Sequence, residues 1–105
     1  MCGIAGIVSL NSGSLYNIKS RASLMAKILN YRGPDYAGVW ISEEKNISLI
    51  NTRLAIVDSK NKFPVPYLSH SQKSILTYNG EIYNYRELSN YLSSKGIILK
   101  TRSDT

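Results

Sequence analysis

The apolar residues of this chain fall into short runs separated by turn residues, and only two segments carry helical spacing. Residues 2–10 read as a buried strand closed by the turn Asn11-Ser12-Gly13-Ser14. Ile18, Ala22, Met25, Ile28 and Leu29 recur at three- and four-residue steps, which predicts a helix with one apolar stripe on the core and Lys19, Arg21 and Lys27 in water. It stops after Gly33, before Pro34. Residues 38–42 and 46–51 are predicted strands joined through Glu43-Glu44-Lys45, and residues 54–57 a third, fully apolar one. A polar loop with Pro64 and Pro66 follows over 60–71, then a strand over 75–78. Asn84 with Glu87 three residues on signals a second helix, with Leu88, Tyr91 and Leu92 on its inner face and Lys95-Gly96 at its end; residues 97–100 return as a strand. Strands outnumber helices, connections are short, and strand and helix do not alternate. The expected class is α+β with mainly antiparallel sheet.

At 105 residues the chain suits one small domain, and 43% hydrophobic with 19% charged residues is a globular composition, neither disordered nor membranous. A single cysteine makes no internal disulfide, and the first apolar run is short, interrupted by Gly6 and Ser9, and lacks the basic start of a secretory signal. The cytoplasm is therefore the expected location, no stretch reaches the length of a bilayer span, and the sequon Asn46-Ile47-Ser48 is read as chance. The net charge of +6 attracts anionic surfaces, yet Lys and Arg are scattered from Lys19 to Arg102 without a block. The tyrosines form no RNA-binding signature either, so neither nucleic acid nor membrane is an expected partner. Cys2 and His70 are too few for a zinc site, and neither a glycine-rich phosphate loop nor a nucleophile-elbow serine occurs.

The one cysteine is Cys2, directly behind the initiator methionine. Removal of Met1 would leave a thiol and a free α-amino group on one residue, a nucleophile with its own base, because an α-amine titrates at about 7.7–8.0 and is partly unprotonated near neutrality. From position alone an inert cysteine at a strand end explains it as well. Asn79-Gly80 is a strong hairpin signal, and the same pair can supply a side-chain amide and an unobstructed backbone N–H to an oxyanion. Arg53 opens the apolar run Arg53-Leu54-Ala55-Ile56-Val57-Asp58 either as a snorkelling surface cation or as a fork for a carboxylate. Asp104 either caps a following helix or accepts an ammonium. Arg32-Gly33-Pro34-Asp35 reads as a turn, and His70 as a solvated loop residue, although a Cys2–His70 dyad is conceivable.

In this order, Met1-Cys2-Gly3-Ile4-Ala5-Gly6-Ile7, Arg32-Gly33-Pro34-Asp35, Arg53-Leu54-Ala55-Ile56-Val57-Asp58, Asn79-Gly80-Glu81-Ile82-Tyr83-Asn84-Tyr85-Arg86-Glu87-Leu88 and Ser103-Asp104-Thr105 resemble the glutaminase domain of glutamine-hydrolysing asparagine synthetases. The likeness runs from the first residue to the last. It implies a class II glutamine amidotransferase with the N-terminal nucleophile hydrolase fold, a four-layer αββα sandwich of antiparallel sheets. Cys2 would then attack the glutamine side-chain amide, Asn79 and Gly80 would form the oxyanion hole, and Arg53 and Asp104 would hold the α-carboxylate and α-ammonium. Glu81 and the backbone at Leu54 and Ile56 would frame the pocket. The resemblance implies glutamine as substrate and no cofactor in this chain; ATP and Mg would belong to a synthetase domain that is absent. Residues 1–105 are thus expected to be the N-terminal part of a truncated glutaminase domain, its sandwich incomplete, with weak or no glutaminase activity in isolation. Another ammonia acceptor, such as a surface-polysaccharide sugar, an inactive binding remnant, and homodimerisation stay open. Many members of the family have histidine where this chain has Tyr31 and Asn51, which is expected to alter coupling or stability more than chemistry. Phe63-Pro64-Val65-Pro66 is a looser match to the family's usual loop.

Overall fold

The computed structural model describes residues 2–54, 64–99 and 104. It is a small α+β arrangement in which three strands, β1 (Gly3–Val8), β2 (Tyr36–Ile41) and β3 (Ile47–Arg53), form an antiparallel sheet in the order β1-β3-β2. Helix α1 (Ile18–Leu29) follows β1, a short hairpin of β4 (Tyr67–Leu68) and β5 (Ile75–Leu76) follows β3, and helix α2 (Tyr85–Ser94) follows the hairpin. No helix among the described residues is long and apolar enough to cross a membrane. The antiparallel α+β class read from the sequence is the one observed.

The middle strand organises everything else. Gly3 pairs with Thr52, Ile4 with Asn51 and Ala5 with Ile50, while on the other side Gly38 pairs with Asn51. Because side chains alternate between faces, Gly3, Ala5, Ile50 and Thr52 share one face, and Ile4, Gly38, Asn51 and Arg53 the other. The first face carries α1. Ile50 and Ala22 are wholly buried there together with Ala26, and Ala5, Met25 and Leu29 pack around them. Two alanines at four-residue spacing let the helix approach the sheet closely, which explains a correction to the predicted stripe: Ala26 lies inward and Ile28 is exposed.

Helix α1 also ends earlier than Gly33 suggests. Its last carbonyl, that of Leu29, accepts the Thr52 hydroxyl at 3.1 Å and the Arg32 N–H at 2.9 Å, so residues 30–32 turn off the axis and bring Gly33 against β3. A Cβ on Gly33 would run into the backbone of Thr52 and Arg53. The next residues then lie along the strand end, where the Asp35 N–H donates to the Arg53 carbonyl at 3.1 Å. The predicted turn Arg32-Gly33-Pro34-Asp35 is therefore a strut for the end of β3.

Other expectations are modified. The strand predicted over 54–57 begins at Leu54, which stands after the end of β3, and its remaining residues lie outside the described residues. The helix signal at Asn84 locates the start of α2, but the asparagine side chain makes no cap; the Leu88 N–H bonds to the Asn84 backbone carbonyl at 3.1 Å. Leu88 and Tyr91 are exposed, because among the described residues no other helix or strand packs on α2. At its far end Gly96 has φ +79, its N–H bonds to the Ser93 carbonyl at 3.0 Å, and the Ile97 N–H bonds to that of Leu92 at 3.0 Å. That is the Schellman closure Lys95-Gly96 implies. It commits Ile97 to the helix end, and residues 97–99 form no strand.

Candidate functional site

Cys2 stands one residue ahead of β1, half-buried, with a free thiol. Gly3 opposite Thr52 ends the pairing of β1 with β3, so Cys2 comes to the end of the sheet that Arg53 closes. Arg53 closes β3, half-buried, with its carbonyl held by Asp35, and Leu54 beside it is half-buried too. The sulfur-bearing and guanidinium-bearing residues thus lie at the same end of the sheet. Ile56 lies outside the described residues.

The second group of candidates reaches the same face from the chain after β5. The Thr77 hydroxyl donates to the Ile50 carbonyl at 3.1 Å, and the Asn51 side-chain amide donates to the Tyr78 carbonyl at 3.4 Å. These bonds lay residues 77–78 across β3, and Asn79, Gly80 and Glu81 follow, all exposed. The hairpin reading of Asn79-Gly80 does not hold. Neither residue takes the left-handed conformation, and the hairpin β4–β5 turns instead through Ser69–Ser74, closed by the Ser69 N–H on the Ser74 carbonyl at 2.9 Å. Freed from turn geometry, the pair leads from the sheet to α2 with its amide groups in solvent reach.

Asp104 joins this group from the far end of the chain. Its Oδ2 accepts the Ile82 N–H at 2.8 Å, which sets a carboxylate beside Glu81. The Tyr78 ring folds back over Gly80, so that a Cβ there would stand 2.7 Å from the phenolic oxygen. Partial desolvation, then the charges of Asp104 and Glu81 and the nearby Tyr83, push the Tyr78 phenol up from its ordinary value. Arg53 and Leu54 thus stand at the end of β3 and Cys2 just ahead of β1, Asn79 and Gly80 follow the segment bonded to β3, and Asp104 meets the chain at Ile82 beside Glu81. Among the described residues no three His, Cys, Asp or Glu side chains are close enough to hold a metal ion. His70 is exposed on the Ser69–Ser74 turn.

Sequence reasoning noted Asn51 only as a departure from the family's histidine and passed over Thr77; these two residues bond β3 to the segment before Asn79. The available signal was that Asn51 and Thr52 are polar yet follow the apolar Leu49-Ile50 within β3.

The family model described as the glutamine amidotransferase domain matches residues 1–105. The chain belongs to that family. Among its curated relatives, this glutamine amidotransferase domain is 32% identical over 88 residues to asparagine synthetase B [glutamine-hydrolyzing] of Escherichia coli, covering 84% of this chain and 15% of the relative. It is 38% identical over 106 residues to a probable asparagine synthetase [glutamine-hydrolyzing] of Dictyostelium discoideum, covering 99% of this chain and 18% of the relative. Against asparagine synthetase [glutamine-hydrolyzing] 3 of Bacillus subtilis it is 33% identical over 106 residues, covering 100% of this chain and 17% of the relative. The chain thus spans less than a fifth of the length of these relatives. No solved structure matches it.

Proposed function

We propose that this domain hydrolyses glutamine with Cys2 as an N-terminal nucleophile, and that the ammonia serves asparagine synthesis from aspartate and ATP in a synthetase domain. The observation that carries the reading is the shared face. The register beside Arg53 brings Cys2 to the strand end, and Asn51 and Thr77 bind the segment leading to Asn79-Gly80 to the same strand. The sheet with α1 on one face and an incomplete cover on the other also agrees with one half of a four-layer sandwich.

With Met1 removed, the Cys2 α-amine takes the thiol proton and the sulfur attacks the glutamine side-chain carbonyl carbon. The carbonyl electron pair moves onto oxygen, where the Asn79 amide and the Gly80 N–H stabilise it. Collapse expels the amide nitrogen as ammonia, protonated by the same amine, and leaves a glutamyl thioester that water opens to glutamate. Arg53 pairs with the α-carboxylate and Asp104 with the α-ammonium. Leu54 and Ile56 supply backbone at the pocket edge, and Glu81 adds to the negative end. Matching both charges makes the site reject simple amides, which would leave those groups unpaired.

The test uses the product of the complete reading frame. Ammonia release is expected from L-glutamine and at least about a hundredfold slower from propionamide at equal concentration, since one unpaired polar group in such a site commonly costs that much. Mass spectrometry of the same sample should find Cys2 as the first residue. Retained Met1 in a sample that releases ammonia would overturn the mechanism, and equal rates on both amides would overturn the pocket.

A further inference from the structure

Asn51 sits in the middle strand, 2% exposed, with its Oδ1 buried and without a hydrogen-bond partner among the described residues. A buried carboxamide that is only half satisfied weakens a fold that a leucine of similar shape would not, so its presence asks for another role. We propose that Asn51 is a positioning residue for the oxyanion donors: through the Tyr78 carbonyl it sets how far Asn79 and Gly80 stand from the Cys2 sulfur. The inference rests on the glutaminase reading above.

The geometry is a two-point clamp. Asn51 donates from β3 to residue 78, and Thr77 donates back to Ile50 on β3, so consecutive residues on both sides are tied by bonds running in opposite directions. One bond alone would leave the segment free to pivot. Two fix its distance from the strand and its rotation about it. Asn79 is the next residue beyond the clamp, and on the strand side Asn51 lies two residues from Arg53 and opposite Ile4, itself two residues from Cys2. A change at Asn51 therefore moves the donors relative to the sulfur without touching Cys2, Arg53 or Asp104. A displacement of about 1 Å in such a constellation can cost about a hundredfold in rate.

The decisive variant is Asn51→Leu, which removes the donor and the unpaired acceptor together and keeps the branched shape of the side chain. Measured on the product of the complete reading frame, kcat for glutamine should fall about tenfold to a hundredfold with KM changed less than about twofold, because oxyanion donors act in the transition state and not on bound substrate. The melting temperature should fall by no more than about 8 °C, since the Tyr78 carbonyl loses its donor while the unpaired Oδ1 goes with the amide. The effect should also be non-additive with Asn79→Ala, since a donor that is absent cannot be misplaced. Hydrogen exchange at residues 77–80 should quicken while that of β1 is unchanged. Should Asn51→Leu fail to fold, Thr77→Val removes the other half of the clamp and carries the same expectations. A kcat within twofold of the unsubstituted protein, or a loss additive with that of Asn79→Ala, would overturn the inference and leave the glutaminase reading standing. No ammonia release from the unsubstituted protein would instead overturn that reading, and this inference with it.

Discussion

Cys2→Ala loses glutamine hydrolysis by at least about four orders of magnitude while the protein stays folded and still binds glutamine. The size follows from the chemistry: removing a covalent nucleophile deletes the bond-forming step, and the oxyanion donors then have no tetrahedral intermediate to stabilise, so their contribution is lost with it. The preserved fold follows from position. Cys2 lies outside β1, half-buried, and belongs to no part of the cluster formed by Ala22, Ala26 and Ile50. Its truncation removes one partly covered sulfur and should cost under about 1 kcal/mol. Binding is expected to persist, because on the proposed reading Arg53 and Asp104 remain to meet the two charges of the amino acid. Cys2→Ser separates nucleophilicity from geometry: the hydroxyl occupies nearly the same place, but its proton is held far too tightly for an α-amine of ordinary basicity to remove, so activity stays low. Ammonia release measured beside equilibrium binding of glutamine checks both statements. Ammonia release by Cys2→Ala at more than a hundredth of the unsubstituted rate would refute Cys2 as nucleophile.

The contrast between Cys2 and Asn79 shows what was legible in the sequence. The start of the helix at Ile18, the strands around Gly38 and Asn51 and the closure at Gly96 are local events, dictated by spacing, turn chemistry and backbone conformation, and they appear where the residues indicate, whereas the helix ends at Leu29 and not at Gly33. Whether Asn-Gly turns a hairpin is decided elsewhere. Two hydrogen bonds from residues 77 and 78 to β3 hold the segment out of a hairpin, and no property of residues 79 and 80 discloses them. Helix α2 is the reverse case, since its amphipathic pattern is plain but the inward stripe of Leu88 and Tyr91 has no element over it among the described residues. The stripe of α1 was misread by one position for a related reason. Hydrophobicity favours Ile28, whereas the close approach to Ile50 favours the small Ala26, and only the sheet decides between them. For the site, motif order pointed to Cys2, Arg53, Asn79, Gly80 and Asp104. The two bonds between β3 and residues 77–78 were hidden because nothing in Asn51 or Thr77 announces a partner 27 positions away.

Gly38→Ala should lower stability by about 3 kcal/mol, a fall of roughly 10–20 °C in melting temperature for a chain of this size. Glycine in a strand is usually a weakness, and alanine gains about 0.4–1 kcal/mol by restricting the unfolded chain. Here packing outweighs that gain. Gly38 pairs with Asn51 on the face that carries the site, and a Cβ built on it collides with the carbonyl group of Val65. The obstacle is backbone, which cannot swing aside as a side chain does. Either β2 shifts and its pairing with β3 is broken, or the segment around Val65 lifts away. Val65 is 4% exposed and Pro66 is buried, so lifting returns apolar surface to water worth about 1.5–3 kcal/mol for the valine alone. It would also uncover Asn51, the partner of Gly38 across the strand, and loosen the clamp on Tyr78. Activity should therefore fall with stability in this variant, whereas Asn51→Leu should lower activity far more than stability. Gly13→Ala is the control: nothing lies within 4 Å of a Cβ there, and its melting temperature should stay within about 4 °C of the unsubstituted protein. If Gly38→Ala melts as Gly13→Ala does, the cover formed by Val65 and Pro66 is not packed on β2, and the burial of Asn51 must come from another part of the chain.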